Sequence, residues 1–298
     1  MTKTSPIIGI FLMVFASAIL AGKDGLAKTL LDRVEPFQLI WMQFSGTFLV
    51  AALIAIPKHG WRVFQPQPLS EQFLRGTFNI SAVVSLYFSI SFIPLADATA
   101  MMLFAPAVAT VLSPLILGEK IGIMRVGAVI VGFAGVLAIL RPGLSGDPLG
   151  YYFGLASGVL LGGYFLFNRR LAGGQPIILE ITHNALMGTL AATPFLPFFW
   201  GPVPENLYYL LAIGLAMAFV GQSAMITSFK FGPAAVISPY SYTMLIFAVA
   251  IGFFVFGTSP DASTWIGIVL IAGSGIFIAY RERLVREFKD YKIGQRKY

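Results

Sequence analysis

The chain has 298 residues, 57% of them hydrophobic and 11% charged, where soluble domains carry roughly 25% charged residues. A water-soluble fold has no place for this much apolar surface, so a soluble enzyme or binding module is excluded and a lipid-embedded protein is indicated. The chain lacks cysteine, which removes disulfides, thiolate metal sites and cysteine nucleophiles, and its net charge of +7 sits in loops and a tail, the distribution of a membrane topology signal and not of a nucleic-acid surface.

One crossing takes about 20 apolar residues. In chain order the hydropathy predicts ten helical spans at 6–28, 36–56, 72–93, 96–117, 122–140, 149–170, 176–199, 206–229, 234–256 and 262–280. Turn chemistry separates them, as at Glu35-Pro36, Ile93-Pro94, Gly201-Pro202 and Ser259-Pro260-Asp261. Lipid offers no partner to backbone groups, so the spans are helices. The apolar run Ile7 to Ala21 is read as the first span and not as a cleaved signal. Lys23 and Asp24, near the outer end of that span, are read as snorkelling to the interface, with gating of the entrance as the alternative.

Trp41 and Gln43 lie in the outer third of the second span. In the third, Asn79 is followed by Ser81, Ser85 and Ser89 on one face. In the fourth, Asp97 suits the positive helix start, and Pro106 removes a hydrogen bond near mid-span, freeing the carbonyl of Met102. The sixth span carries Gly150, Gly154, Gly158 and Gly162, a smooth ridge for close helix approach, with Tyr164 and Asn168 beyond it. In the seventh, Glu180, His183 and Asn184 share a face. Gln222 is deep in the eighth, and Pro239, Tyr240, Ser241 and Tyr242 open the ninth. Trp61, Trp200 and Trp265 fall at span ends, as interface anchors do.

Ten spans put both termini on one side. With that side cytoplasmic, sixteen Lys and Arg lie inside and four outside, and without the tail nine against four, the expected positive-inside bias. The segment 281–298 mixes seven basic with three acidic residues and reads as a basic cytoplasmic tail. Ala96, Gly118, Gly127 and Gly135 recur as Ala235, Gly257, Gly267 and Gly275 at offsets of 139, 139, 140 and 140 residues. The reading is therefore an all-α integral membrane protein with ten transmembrane helices in a 5+5 inverted repeat: residues 1–140, then 149–280, inverted because each half holds an odd number of spans.

Ile93-Pro94-Leu95-Ala96-Asp97-Ala98-Thr99-Ala100, with Pro106, Leu117-Gly118-Glu119-Lys120, Gly127, Gly132 and Gly135, resembles an EamA repeat of the drug/metabolite transporter superfamily. Lys23-Asp24-Gly25-Leu26-Ala27-Lys28 and Glu35-Pro36-Phe37-Gln38 are also similar to that family. The chain departs from it in lacking a Trp-Gly pair in the first helix, in Gln43 where many members carry arginine, and in having no second-repeat match to Pro106 or Glu119. The resemblance implies alternating access around a central cavity and the export or exchange of small organic solutes, with amino-acid exporters well represented and importers of vitamins or nucleoside-like metabolites also known.

The function expected is secondary transport in a bacterial-type inner membrane, with amino acids or similar metabolites, aromatic and hydrophobic ones among them, as exported substrates. An importer of a vitamin or nucleoside-like metabolite is the alternative. An integral-membrane enzyme is disfavoured, because only His59 and His183 are available as imidazoles and no P-loop occurs. No cofactor or metal is called for, and the partners are a small solute and the bilayer. Candidates for substrate contact are Trp41, Gln43, Asn79, Ser85, Pro106, Tyr164, Gln222 and Tyr242, with His183 and Glu180 for a proton-linked role. The cavity is expected among the third, fourth, sixth and ninth spans.

Overall fold

The computed structural model describes residues 6–118, 123–140, 147–171, 174–228, 231 and 237–295. Helix α1 (Pro6–Leu30) opens on proline, which is tolerated in a first turn because the N–H it lacks has no helical partner there. It is followed by α2 (Pro36–His59), a 3-10 turn at Gly60–Phe64, and α3 (Leu69–Phe92). The fourth span is two helices, α4 (Leu95–Met102) and α5 (Ala105–Leu117). Helices α6 (Ile123–Leu140) and α7 (Pro148–Leu171) come next. The seventh span is α8 (Ile177–Ala192), a 3-10 turn at Thr193–Phe195 and α9 (Leu196–Phe199); α10 (Tyr208–Ser228) is the eighth. A 3-10 segment (Ser238–Tyr242) leads into α11 (Thr243–Phe256), and α12 (Ala262–Gln295) is last. Six helices of the described residues are long and apolar enough to cross a membrane, and three shorter apolar ones accompany them. The span made of α8 and α9 is interrupted at Pro194, which has no N–H to continue the ladder. The protein is a ten-helix, all-α membrane fold.

The expected tail at 281–298 differs in one respect. The backbone of α12 continues as helix to Gln295, because Arg, Glu, Leu and Lys are good helix formers whatever solvent they meet.

The outer surface is apolar: Leu115, Ile123, Phe198 and Phe254 are each at least 80% exposed. Polar and charged groups such as Lys23, Asp24, Gln38, Arg75 and His183 are buried. This inversion of the water-soluble pattern is what a lipid solvent selects.

Helix contacts fall into matched pairs across the two halves. α1 packs on α10 and α11, while α7 packs on α3 and on α4 and α5; α2 meets α8, α4 meets α11, and α6 meets α12. The α1 and α7 partner sets map onto each other when the two halves exchange places. Gly118 and Gly257 end α5 and α11 with the same left-handed geometry, φ 67° ψ 20° and φ 64° ψ 18°, a conformation that glycine adopts without a Cβ clash. The repeat offset therefore marks equivalent helix caps. Gly135 and Gly267 bring α6 and α12 into backbone contact: a Cβ on either would lie 2.9 or 2.7 Å from the other's carbonyl oxygen.

The break in the fourth span recurs in the second half. α5 starts at Ala105 and α11 at Thr243, and each is preceded by 3-10 geometry or a kink. Pro106 occupies the first turn of α5, where its missing N–H costs nothing, so it starts a helix instead of kinking one in mid-span. The equivalent start in the second half forms without a matching proline. Glu119, expected to distinguish the halves, lies outside the described residues.

Lys28 explains how α3 can stop inside the bundle. Pro94 has no N–H for the carbonyl of Ile90, and the Lys28 ammonium donates to Ile90 O instead, and to Ile93 O at 2.9 Å. A cation at a helix C-terminus also complements the helix dipole. Lys28→Met is expected to lower stability by about 1–3 kcal/mol, with Lys28→Arg recovering most of it. Thermal unfolding in detergent measures both, and an unchanged Lys28→Met midpoint would remove this role.

Candidate functional site

A cavity of about 150 Å³ lies among α1, α2, α3 and α10. Leu26, Ala27, Leu30, Leu39, Met42, Leu211 and Leu215 make its apolar walls, and Lys23, Gln43 and Tyr87 supply the polar groups. Of the four spans expected to line it, only the third does. The fourth and sixth are packed together along the glycine ridge. Gly150 faces Phe92 and Ile93, Gly154 faces Met101 and Ser89, Gly158 faces the Met101 carbonyl, and Gly162 faces Val108 and Ala105. The ridge fits α7 along the end of α3 and across the α4–α5 break, leaving no room for a solute.

Lys23 and Asp24 do not snorkel. α1 runs six residues past Asp24, to Leu30, so the pair lies inside the bundle, 7% and 2% exposed. Lys23 Nζ is 2.7 Å from Asp24 Oδ1 and 5.3 Å from the centre of the Tyr87 ring. Tyr87, 1% exposed, donates its hydroxyl to Gln43 Oε1 at 2.8 Å. The four residues form one chain of charge and hydrogen bonds that joins α1, α2 and α3 at the cavity. A buried ammonium needs an anion and an aromatic face to offset its desolvation, and both are present.

The start of α2 packs against the segment that follows α8. Gln38, 1% exposed, donates to Gly201 O at 3.0 Å and accepts from Gly201 N at 3.1 Å. Trp41 Nε1 donates to Thr193 Oγ1 at 3.1 Å, and its ring meets Trp200 edge-on at 5.9 Å. Phe37 packs on Phe195 and Phe199. The residues after Ala192 thus form an aromatic cluster against α2, with Trp41 in the cluster and Gln43 in the cavity. Trp61, Trp200 and Trp265 are exposed, although Trp200 also belongs to this aromatic cluster.

Tyr164 is buried, and Gln222 Nε2 donates to its hydroxyl at 3.3 Å, which ties α7 to α10. Asn79 is half-buried, while Ser85 is buried. Tyr242 does not line the cavity: its hydroxyl lies where a Cβ on Gly275 would stand, so the missing side chain of Gly275 is the Tyr242 pocket. Asp97 sits in the first turn of α4 and accepts from the Tyr151 hydroxyl at 3.3 Å, a link to α7.

At the end of the bundle opposite this cluster, Arg75 is buried and its Nη2 donates to Glu180 O at 2.9 Å. It lies between α3 and α8. His183 is 2% exposed and its Nε2 donates to Arg62 O at 2.9 Å. That bond leaves Nδ1 as a buried acceptor without a partner. A second cavity of about 500 Å³ opens here, lined by Gln67, Glu71, Gln72, Arg170, Gln175 and Glu180 among others.

Ten helices in matched halves around a charged cavity agree with the sequence comparison. The model of the EamA-like transporter family matches residues 7–141 and again 148–280. The chain belongs to the EamA-like transporter family. It is 24% identical over 298 residues to an uncharacterized transporter of Helicobacter pylori, covering 96% of this chain and 99% of that one. It is 25% identical over 280 residues to the S-adenosylmethionine uptake transporter of Rickettsia bellii, covering 93% and 94%. It is also 26% identical over 270 residues to a pseudopaline exporter of Pseudomonas aeruginosa, covering 88% and 93%. One solved structure superposes with a TM-score of 0.61 at 20% identity over 92% of this chain and 97% of the other, which is agreement in fold. This EamA-family chain is a multi-pass membrane transporter of small molecules.

Proposed function

We propose that this transporter exports amino acids, hydrophobic and aromatic ones among them, by alternating access between two inverted halves, residues 1–140 and 149–280. Both termini are then in the cytoplasm of a bacterial-type inner membrane. One observation carries the substrate class: the cavity couples apolar walls to Lys23, whose buried ion-pair partner Asp24 stands behind the lining. A zwitterion can exchange with such a pair. Its carboxylate takes Lys23, its ammonium takes Asp24 beside the Tyr87 ring, and no buried charge is stranded at any step. Gln43 adds a hydrogen bond. The side chain of the solute then fills the space between Leu26, Leu30, Leu39 and Leu215.

Size supports the same class. A cavity of about 150 Å³ holds benzene in an engineered protein, so a phenyl-sized side chain fits and a nucleoside requires the site to open further. The orientation also gains support. Arg75, Lys23 and Lys28 take part in the bundle, and setting them aside leaves fifteen basic loop and tail residues on the inner side against two on the outer. Trp41, Tyr164 and Gln222 are proposed to act in the route to the cavity, Asn79, Ser85 and Pro106 in helix packing around it, and His183 and Glu180 at its other end.

Flux in proteoliposomes loaded with labelled amino acids, with and without an imposed pH gradient, tests the assignment. Saturable efflux of leucine- or phenylalanine-like solutes is expected. Absence of flux for every amino acid would defeat it. The kinship with S-adenosylmethionine uptake transporters favours a second reading, import of a nucleoside-like metabolite whose amino-acid head uses the same ion pair. Uptake of S-adenosylmethionine without amino-acid flux would select that reading.

A further inference from the structure

The connection between α2 and α3 has two sides. Its inner side belongs to the bundle. Val63 is 0% exposed and packs with Ala52 and Ala55 of α2 and Leu179 of α8, and the Arg62 carbonyl accepts from His183 Nε2 at 2.9 Å. Gly60, at φ 54° ψ −137°, turns the chain there, a conformation that glycine reaches without a Cβ clash. The 3-10 turn Gly60–Phe64 follows. Its outer side presents Lys58, Trp61, Arg62 and Phe64, all exposed, Trp61 at 79%.

Two features fit this outer side to lipid. The first is its apolar continuity. The Trp61 and Phe64 rings lie 5.6 Å apart, and Phe64 meets Phe48 edge-on at 6.1 Å, so the pair extends the exposed apolar face that Leu49, Leu53 and Ile54 give α2. An aromatic pair at the rim of an apolar span marks the membrane–water interface. Lys58 stands one turn beyond Ile54, at the same rim. The second feature is charge. The chain has no Asp or Glu between Glu35 and Glu71, and Glu71 is paired with Arg170 at 2.8 Å. Among the described residues neither Lys58 nor Arg62 is in an ion pair. A soluble acidic partner would have to displace the bilayer from Trp61 and Phe64. A phospholipid satisfies both features, with acyl chains along α2 and its phosphate at the cations. In a zwitterionic headgroup the ammonium offsets that phosphate, so a lipid of net negative charge is selected.

We propose that this turn binds the headgroup of an anionic phospholipid, Lys58 and Arg62 holding the phosphate and Trp61 and Phe64 packing on the glycerol and upper acyl chains. The bound lipid steadies a contact between the two halves, because the turn is bonded through Arg62 O to His183 of α8. The inference does not depend on which solute is transported.

The test is quenching of Trp61 emission in the full chain, reconstituted in mixed vesicles of phosphatidylcholine and phosphatidylglycerol with one lipid or the other brominated in its acyl chains. The Trp61 signal is the emission lost in Trp61→Phe. Both leaflets have the same composition, so the orientation of the chain does not enter. Phosphatidylglycerol is expected to be preferred at Trp61. A basic residue near an anionic surface contributes about fivefold in affinity, so Lys58→Gln and Arg62→Gln should each lower the preference about fivefold and the double replacement should abolish it. Both side chains are exposed and glutamine keeps the Arg62 carbonyl in place, so these variants retain the fold. Lys292→Gln/Arg296→Gln in the basic tail should leave the preference unchanged, and soluble glycerol 3-phosphate at constant ionic strength should not reduce it. Equal quenching by the two lipids would overturn the proposal. A preference that survives the double replacement, one lost in the tail variant, or one reversed by glycerol 3-phosphate would overturn it equally. Failure of amino-acid flux would leave this binding result untouched.

Discussion

Asp24→Asn is expected to abolish transport and to destabilise the protein by about 3–5 kcal/mol, the cost of stranding one buried charge. Lys23 is 7% exposed and its nearest anion is Asp24. The Tyr87 ring, 5.3 Å away, contributes no more than about 0.5–2 kcal/mol to a cation, too little to replace a carboxylate. Lys23→Met should strand Asp24 in the same way. The double replacement Lys23→Met/Asp24→Leu removes both charges, and apolar groups of similar volume in place of a buried pair are commonly neutral or stabilising. It is expected to unfold at or above the midpoint of the parent chain and still not to transport. Stability and flux measured together separate the two roles. Parent-like flux in the double replacement would show that the pair holds helices together and does not meet solute.

The arrangement of spans was legible because long apolar runs, positive loops and recurring glycines are local signals. Gly118 and Gly257 could be matched by counting, since each caps a helix with the same left-handed turn. The site was less legible. Lys23 and Asp24 stood near a span end as hydropathy draws it, where long charged side chains ordinarily reach water. Only the length of α1, which continues to Leu30, and the approach of Tyr87 from α3 make them internal. Tyr87 carried no signal, since its role comes from the α1–α3 contact. Two oppositely charged neighbours followed by six residues of continuing helix were the available clue. Tyr242 failed for the converse reason: the small residue that receives it, Gly275, is on another helix. Pro106 was expected to interrupt a span near its middle, but the break precedes it and it starts α5, while the equivalent start in the second half follows 3-10 geometry without a matching proline.

Gly158→Ala is expected to destabilise the protein by about 1–3 kcal/mol, the usual cost of overpacking, although alanine is the better helix former by about 1 kcal/mol. A Cβ there would sit 2.5 Å from the Met101 carbonyl oxygen and 3.5 Å from that of Met102. These are backbone atoms at the α4–α5 break, where Met101 O already accepts from Phe104 N at 3.1 Å, so no rotamer change relieves the contact and α7 must move away from α4. Gly127→Ala is the matched control, since a Cβ at that position meets nothing within 4 Å, and it should be neutral or slightly stabilising. Equal midpoints for the two variants would show that the ridge is not a tight seam. The same pair of variants addresses motion. α7 joins the α3 wall of the cavity to the broken fourth span, and a seam of glycine against backbone has no side chains to interlock, so it can slide with little barrier. An added methyl at Gly158 therefore interferes with sliding as well as with packing. Flux through Gly158→Ala, measured at a temperature where it is fully folded, should fall well below that of Gly127→Ala, and equal flux would mean that the two halves move about some other surface.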